Sequence, residues 1–255
     1  MKLHHIRNAT MVIEVDDIAI LVDPMLGPKG SQAPFTLFRY PPRQNPIIPL
    51  PEGAVDLLDK VNHCVITHRH PDHIDRDGQQ FLIERNIPVL CSQHDYDLFR
   101  SRGLYVTHAV QAGQEEPYLG GKAIGVEARH GYGWVARLMG KVMGYYLEFP
   151  NCPSIYLSSD TIFTEQVAQA IHDYQPDLCV FAAGMARLDV GEPLLMNIED
   201  MIRFVKASPK QAIANHLEAV NHCPVTRQEL SRALQKEGVR QKVWIPEDGE
   251  SRVFD

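Results

Sequence analysis

The sequence predicts an α/β protein in which two β-sheets pack together and helices cover the outside. Strand-rich stretches lie on both sides of the midpoint, each is interleaved with segments of helical pattern, and capping signals fall between them. With 255 residues, 44% hydrophobic and 22% charged, the chain can bury a sizeable core. No change of composition divides residues 1–255, so a single domain is expected.

Thr10–Val15 and Ile18–Val22 are β-rich runs joined across Asp16-Asp17, a hairpin signal. Eight of the eighteen prolines then fall between Pro24 and Pro51. Proline lacks an N–H and fixes φ, so residues 24–53 are expected to form an irregular loop, either a structural cover or a substrate-shaping lid. Phe35, Leu37, Phe38, Tyr40 and Ile47-Ile48 favour packing of that loop over a free linker. Ala54–Lys60 reads as helix, His63–Thr67 as a buried strand, Gly78–Arg85 as a helix ended before Pro88, and Pro88–Cys91 as a strand. Ser92, with Asp95 three residues on, is read as the cap of a helix that reaches Arg102 and stops at Gly103. Strands are expected at Tyr105–Val110, Lys122–Arg129, Val142–Phe149 and Ser154–Ser158. In the last third, helices at Ile162–Tyr174, Ile198–Lys206 and Thr226–Lys236 alternate with strands at Asp177–Ala182, Gln211–Asn215 and Lys242–Ile245. Thr226 and Glu229 form a capping box and Gly238 supplies the stop.

The formal charge of −7 carries no block of like sign, which disfavours a nucleic-acid partner, because phosphate contacts need clustered Lys and Arg. No apolar run approaches the roughly 20 residues that span a bilayer. The opening Met1-Lys2-Leu3-His4-His5 lacks a signal-peptide apolar region, so a cytoplasmic location is expected. The five cysteines form no C-x-x-C pair and read as reduced thiols. Twelve histidines form a reservoir of metal ligands or acid–base groups.

Six of the decisive residues are contiguous: His68-Arg69-His70-Pro71-Asp72-His73, preceded by Thr67. Pro71 argues against a helix here. In extended backbone His68 and His70 project to one side, while the neighbours Asp72 and His73 point differently and can serve a second metal. Imidazole with carboxylate suits Zn, Fe or Mn, and the absence of nearby cysteine disfavours a structural zinc knuckle. Chance supplies about 0.002 such matches in a chain of this composition.

This motif resembles that of the metallo-β-lactamase superfamily. Later residues match the family's order: His130 in Ala128-Arg129-His130-Gly131, Asp160 in Ser158-Ser159-Asp160-Thr161 (serine where the family has G-D-T), and His216 in Asn215-His216-Leu217. Each follows an expected strand. The resemblance implies a four-layer αβ/βα sandwich of two mixed sheets with outer helices. It also implies two divalent ions, zinc foremost with manganese or iron as alternatives. His68, His70 and His130 would hold one ion, Asp72, His73 and His216 the other, and Asp160 would bridge. Asp23, in Leu21-Val22-Asp23-Pro24, matches an early Asp placed beneath the site, either orienting a ligand imidazole or forming a turn; Asp75 has the same two readings. The hairpin, the L-V-D-P element and the motif spacing look most like the ascorbate-6-phosphate lactonase-like branch. Where many members carry Gly-His, this chain has Arg7-Asn8 before Ala9-Thr10, leaving His4 or His5 as nearby histidines to substitute.

The resemblance implies a metal-dependent hydrolase in which a metal-bridging hydroxide attacks a small ester, lactone, amide or phosphodiester. Asp72 would orient that hydroxide, and His222 would donate a proton or contact substrate, unless it is a structural histidine. Iron in the same ligands would instead give a sulfur dioxygenase or an oxygen-reducing protein. Arg39, Arg43, Arg129, Arg137 and Lys141 are candidates to meet an anionic substrate, or else solvated charges. Tyr132 and Trp134 either flank the pocket or anchor a loop. His63, His94, His108 and His172 are assigned no role. The expected partners are a small-molecule substrate and, in a homo-oligomer, further copies of the chain.

Overall fold

The computed structural model describes residues 1–255. Its first sheet contains β1 (Lys2–Arg7), β2 (Thr10–Val15), β3 (Ile18–Val22), β4 (His63–Val65), β5 (Val89–Ser92) and β6 (Val106–Val110). The second contains β7 (Glu115–Tyr118), β8 (Gly121–Ala128), β9 (Val142–Glu148), β10 (Ile155–Leu157), β11 (Leu178–Ala182), β12 (Gln211–Asn215) and β13 (Val243–Trp244). The last strand, β14 (Ser251–Val253), returns to pair with β1, giving two sheets of seven, ordered β14-β1-β2-β3-β4-β5-β6 and β13-β12-β11-β10-β9-β8-β7. Both sheets are mixed: β1, β2 and β3 form an antiparallel meander and β3 to β6 run parallel, while β7 to β10 are antiparallel and β10 to β13 parallel. Helices α1 (Ala54–Leu58), α2 (Arg76–Glu84) and α3 (Tyr96–Ser101) cover the first sheet, and α4 (Glu165–Tyr174), α5 (Ile198–Ala207) and α6 (Arg227–Lys236) cover the second.

Period-two alternation sorts the side chains into these layers. In β3, Ile20 and Val22 enter the core between the sheets, while Ala19 and Leu21 face the first helical layer. In β11, Leu178 and Val180 face inward, while Cys179 and Phe181 pack under the second helical layer. Strands buried on both faces read as continuous apolar runs, as β11 does. The α/β class and the four layers are therefore as the sequence indicated. No helix is long and apolar enough to cross a membrane.

Departures have local causes. β1, β7 and β14 had no strand signature: β1 mixes His4, His5 and Arg7 with apolar residues, β7 contains two glutamates and Pro117, and β14 is a three-residue exposed edge. Helix α4 begins at Glu165 behind the Thr164 cap, three residues later than expected, because the Ile162 N–H donates to the Arg129 carbonyl (3.0 Å) and keeps that segment extended. Asp95, rather than Ser92, occupies the N-cap position of α3. The Thr226–Glu229 capping box of α6 is present.

The proline-rich loop is fastened at three places. The fully buried Arg7 guanidinium donates to the carbonyls of Met25 (2.9 Å), Gly27 and Ile48 (3.0 Å). Asn221 and Asn45 bond reciprocally, and Asn221 also accepts the Phe35 N–H and donates to the Thr36 and Pro41 carbonyls. The Asp189 carboxylate gathers the Thr36 hydroxyl and the N–H groups of Leu37, Phe38 and Arg39.

Candidate metal centre

Five strand ends deliver side chains to one edge of the paired sheets. Asp23 follows β3, the Thr67–His73 segment follows β4, His130 follows β8, Asp160 follows β10 and His216 follows β12. Asp23, Ser159 and His216 have φ of 47°, 61° and 57°, the left-handed region that non-glycine residues seldom adopt. Backbone of this kind persists where surrounding bonds fix it. At His216, the N–H donates to the Asn8 carbonyl (2.7 Å). Gly184 is required alongside, because a Cβ there would collide with the His216 carbonyl and the Cys223 side chain.

The side chains converge as two groups. Ligand-capable atoms of His68, His70 and His130 lie within 4.8 Å of one another, as do those of Asp72, His73, Asp160 and His216. His68 Nε2 and His70 Nδ1 are 3.1 Å apart. Asp160 stands between the groups, with its carboxylate 3.1 Å from His73 Nε2, 3.4 Å from His130 Nε2 and 3.7 Å from His216 Nε2. Asp72 Oδ2 is 3.3 Å from His216 Nε2 and 3.9 Å from His222 Nε2. All seven are buried except His70, which is half-buried.

The outer ring nitrogens are taken. Asp23 Oδ2 accepts from His73 Nδ1 (2.8 Å) and from the Thr67 hydroxyl (2.8 Å), and Asp23 Oδ1 accepts the Thr67 N–H. The Thr67 hydroxyl, committed as a donor to Asp23, can accept from His68 Nδ1 at 3.0 Å. His130 Nδ1 donates to the Leu194 carbonyl (3.0 Å), and His216 Nδ1 lies 3.4 Å from Cys223 Sγ. With Nδ1 so held, Nε2 is left as the inward lone pair. His73 Nε2, Asp160 Oδ1 and His216 Nε2 are buried without a hydrogen bond of good geometry, although His73 Nε2 and Asp160 Oδ1 are 3.1 Å apart and His216 Nε2 is 3.3 Å from Asp72. Buried polar atoms left unpaired cost about 1–3 kcal/mol each, so this arrangement fits a cation at the point they face.

Charge is divided accordingly. Burial alone would push Asp72 and Asp160 up, yet the surrounding imidazoles hold both carboxyls well below the usual range. Burial opposes charge on His73 as well, but Asp160 and Asp23 raise it to about 10, so its Nε2 would have to give up a proton to become a metal ligand. Burial dominates at His130 and His222, which fall to about 4, so both imidazoles are neutral near pH 7.

Several expectations move. Asp75 does not orient an imidazole: its carboxylate accepts the N–H groups of Leu26, Gly27 and Gly78 and caps α2. His4 bonds Ser251 and Glu14, and His5 lies 3.3 Å from Asp248, so neither joins the cluster. Asn8 is the residue that ties the site here, donating to the Asp72 carbonyl (2.9 Å) while its own carbonyl holds His216. Tyr132 anchors its loop by donating to Asp200, whereas Trp134 is largely exposed. His222 is brought beside Asp72, its ring edge-on to Phe35 with centroids 5.0 Å apart. Sequence reasoning missed Asn8, Asn221, the Leu194 carbonyl and Cys223. Of these only Asn8 left a signal, as the departure from Gly-His.

A family model described as Beta-lactamase superfamily domain matches residues 19–217. The UPF0173 protein YddR of Bacillus subtilis (strain 168) is 32% identical over 257 residues, covering 100% of both chains. A structure described as a possible metal-dependent hydrolase from Veillonella parvula DSM 2008 superposes with a TM-score of 0.91 at 27% identity, covering 100% of this chain and 99% of that one. The isothiocyanate hydrolase from Delia radicum gut bacteria gives 0.89 at 30% identity, with the same coverage.

Proposed function

This chain belongs to the β-lactamase superfamily, and on that premise we propose that it is a hydrolase using two divalent metal ions, zinc foremost, on a small electrophilic molecule. The observation that carries this reading is the convergence of buried ligand atoms on His73, Asp160 and His216, within 4.8 Å of one another and none in a hydrogen bond of good geometry. His68, His70 and His130 would hold one ion, Asp72, His73 and His216 the other, and Asp160 would span both. Imidazole and carboxylate donors of this kind suit zinc, with manganese or iron as the alternatives. Bound ions would supply Lewis acidity and lower the pKa of water from near 16 toward about 7.

The remaining chemistry belongs to the chain. Asp72 is held as a carboxylate acceptor toward the reacting oxygen, and its backbone is fixed by Asn8. His222 presents a neutral imidazole beside Asp72, with Nδ1 buried and unpartnered, and is suited to hold a substrate heteroatom by hydrogen bond. Phe35 closes one wall against its ring.

The relative named isothiocyanate hydrolase makes R–N=C=S the first substrate class to test, ahead of esters, lactones, amides and phosphodiesters. Water addition would convert it to R–NH2 and carbonyl sulfide, a balanced hydrolysis without oxidant. Assayed on this panel, the metal-loaded protein should turn over at least one class, and a folded Asp160→Ala variant should lose about a thousandfold or more in kcat. Full activity in that variant, or oxygen uptake in place of hydrolysis, would contradict the proposal.

A further inference from the structure

We propose that Leu37, Phe38, Trp134, Leu138 and Val190 form an apolar ledge at the mouth of the metal centre, which binds an uncharged apolar substituent of the substrate and so sets substrate preference. The inference rests on the hydrolase reading and deepens it.

Phe38 is 89% exposed, and the other four side chains are each more than half exposed. They lie on three segments that all leave the centre. Leu37 and Phe38 follow Phe35, whose ring meets His222. Trp134 and Leu138 follow His130 along the loop after β8. Val190 follows Arg187, whose N–H donates to the His222 carbonyl (2.9 Å). Gly191 joins the parts, since a Cβ there would lie 3.7 Å from the Trp134 ring and 3.3 Å from Val135. The Arg39 guanidinium draws the first and third segments together through the Asp189 (3.3 Å) and Gly191 (3.4 Å) carbonyls.

An aromatic on a slack loop can fold back onto the protein. The backbone that carries Phe38 is not slack, because its own N–H and those of Leu37 and Arg39 are bound to the Asp189 carboxylate. Contiguous exposed apolar surface on a built scaffold marks a binding surface. Its occupant follows from two facts. The same segments carry Phe35, Val135 and Leu188 into the buried apolar cluster beside the centre that contains Leu194, Val220 and Cys223. Of the nearby cations, Arg39 and Arg129 donate to backbone carbonyls and Arg69 lies 3.9 Å from Asp95, while Arg137, between Trp134 and Leu138, is exposed to solvent. An apolar neutral group therefore matches this lip better than a phosphate or carboxylate. The competing cations are Arg137, exposed between two ledge residues, and Arg187, whose Nε is buried without a partner.

The test uses the metal-loaded protein and unreactive probes, so that it does not depend on turnover. Dissociation constants for 2-phenylethanol, ethanol and 3-phenylpropionate are measured by NMR titration on wild type, Phe38→Ser, Trp134→Ser and Arg187→Ala. The proposal expects 2-phenylethanol to bind at least about tenfold more tightly than ethanol, the gain from burying an aromatic side group. Each ledge variant should lose most of that preference, with ethanol unaffected and Arg187→Ala silent. In turnover, the ledge variants should raise KM for phenethyl isothiocyanate more than for the methyl compound. Equal binding of the two alcohols would overturn the ledge. So would tighter binding of 3-phenylpropionate that depends on Arg187, or variants that abolish self-association in sedimentation while leaving probe binding intact. A probe preference without turnover of any substrate would strike the hydrolase reading alone, and turnover without preference would strike the ledge alone.

Discussion

Asp23 accepts a hydrogen bond from His73 Nδ1 at 2.8 Å, and through the Thr67 hydroxyl it also reaches His68 Nδ1. One carboxylate thus fixes an imidazole in each of the two ligand groups. Replacing it by alanine should weaken metal binding about 10–100-fold, the usual effect of losing such a partner. Competition with a chromogenic chelator measures this, and unchanged affinity in Asp23→Ala would remove Asp23 from the account.

Arg7 is fully buried, and its two terminal guanidinium nitrogens donate to backbone carbonyls from both ends of the proline-rich loop, while its Nε is left without a partner. Burial lowers its pKa to about 10, which still leaves it charged at neutral pH. An Arg7→Met variant keeps the volume and strands three carbonyls, so a loss of about 3 kcal/mol is expected in urea unfolding. A loss under 1 kcal/mol would mean the loop is held by its other clasps.

Asn221 joins the loop to His222, its neighbour in sequence. Asn221→Ala should accelerate proteolytic cleavage within residues 24–53. It should also raise KM more than it lowers kcat, because the wall formed by Phe35 shifts. Equal cleavage rates in wild type and variant would contradict that role.

The Asp189 carboxyl is held well below its usual value of 3.8 by the Thr36 hydroxyl and the N–H groups of Arg39, Leu37 and Phe38. A depressed carboxyl stabilises its surroundings above the unfolded-state value, and the contribution fades as pH falls through and below about 3.8. Hydrogen exchange at residues 37–39, corrected for intrinsic rates, should therefore quicken below about pH 4 and be unprotected at all pH in Asp189→Ala. Protection that is flat with pH would show that the turn stands without the charge.

The residues that the fold brings together in the two groups were legible from side-chain chemistry and spacing. The contiguous run from His68 to His73 is improbable by chance, and His130, Asp160 and His216 stand out because each directly follows a strand. Contacts made by main chain were invisible, since the Leu194 carbonyl that holds His130 leaves no signature in residue type. Asp75 shows how a carboxylate near a motif misleads. It precedes a helix, and three backbone N–H groups claim it before any imidazole can. The edge strands β7 and β14 were hidden for a related reason. Short, charged or proline-bearing edges are suited to the rim of a sheet, where pairing on one side needs no alternating apolar pattern.

The central claim is that seven side chains from four separate segments enclose a pair of cations. Anomalous diffraction from crystals of the zinc-loaded protein tests it most directly. The account predicts two peaks, one among His68, His70 and His130 and one among Asp72, His73 and His216, with Asp160 reaching both. A single peak, or none at these residues in a fully zinc-loaded crystal, would contradict it.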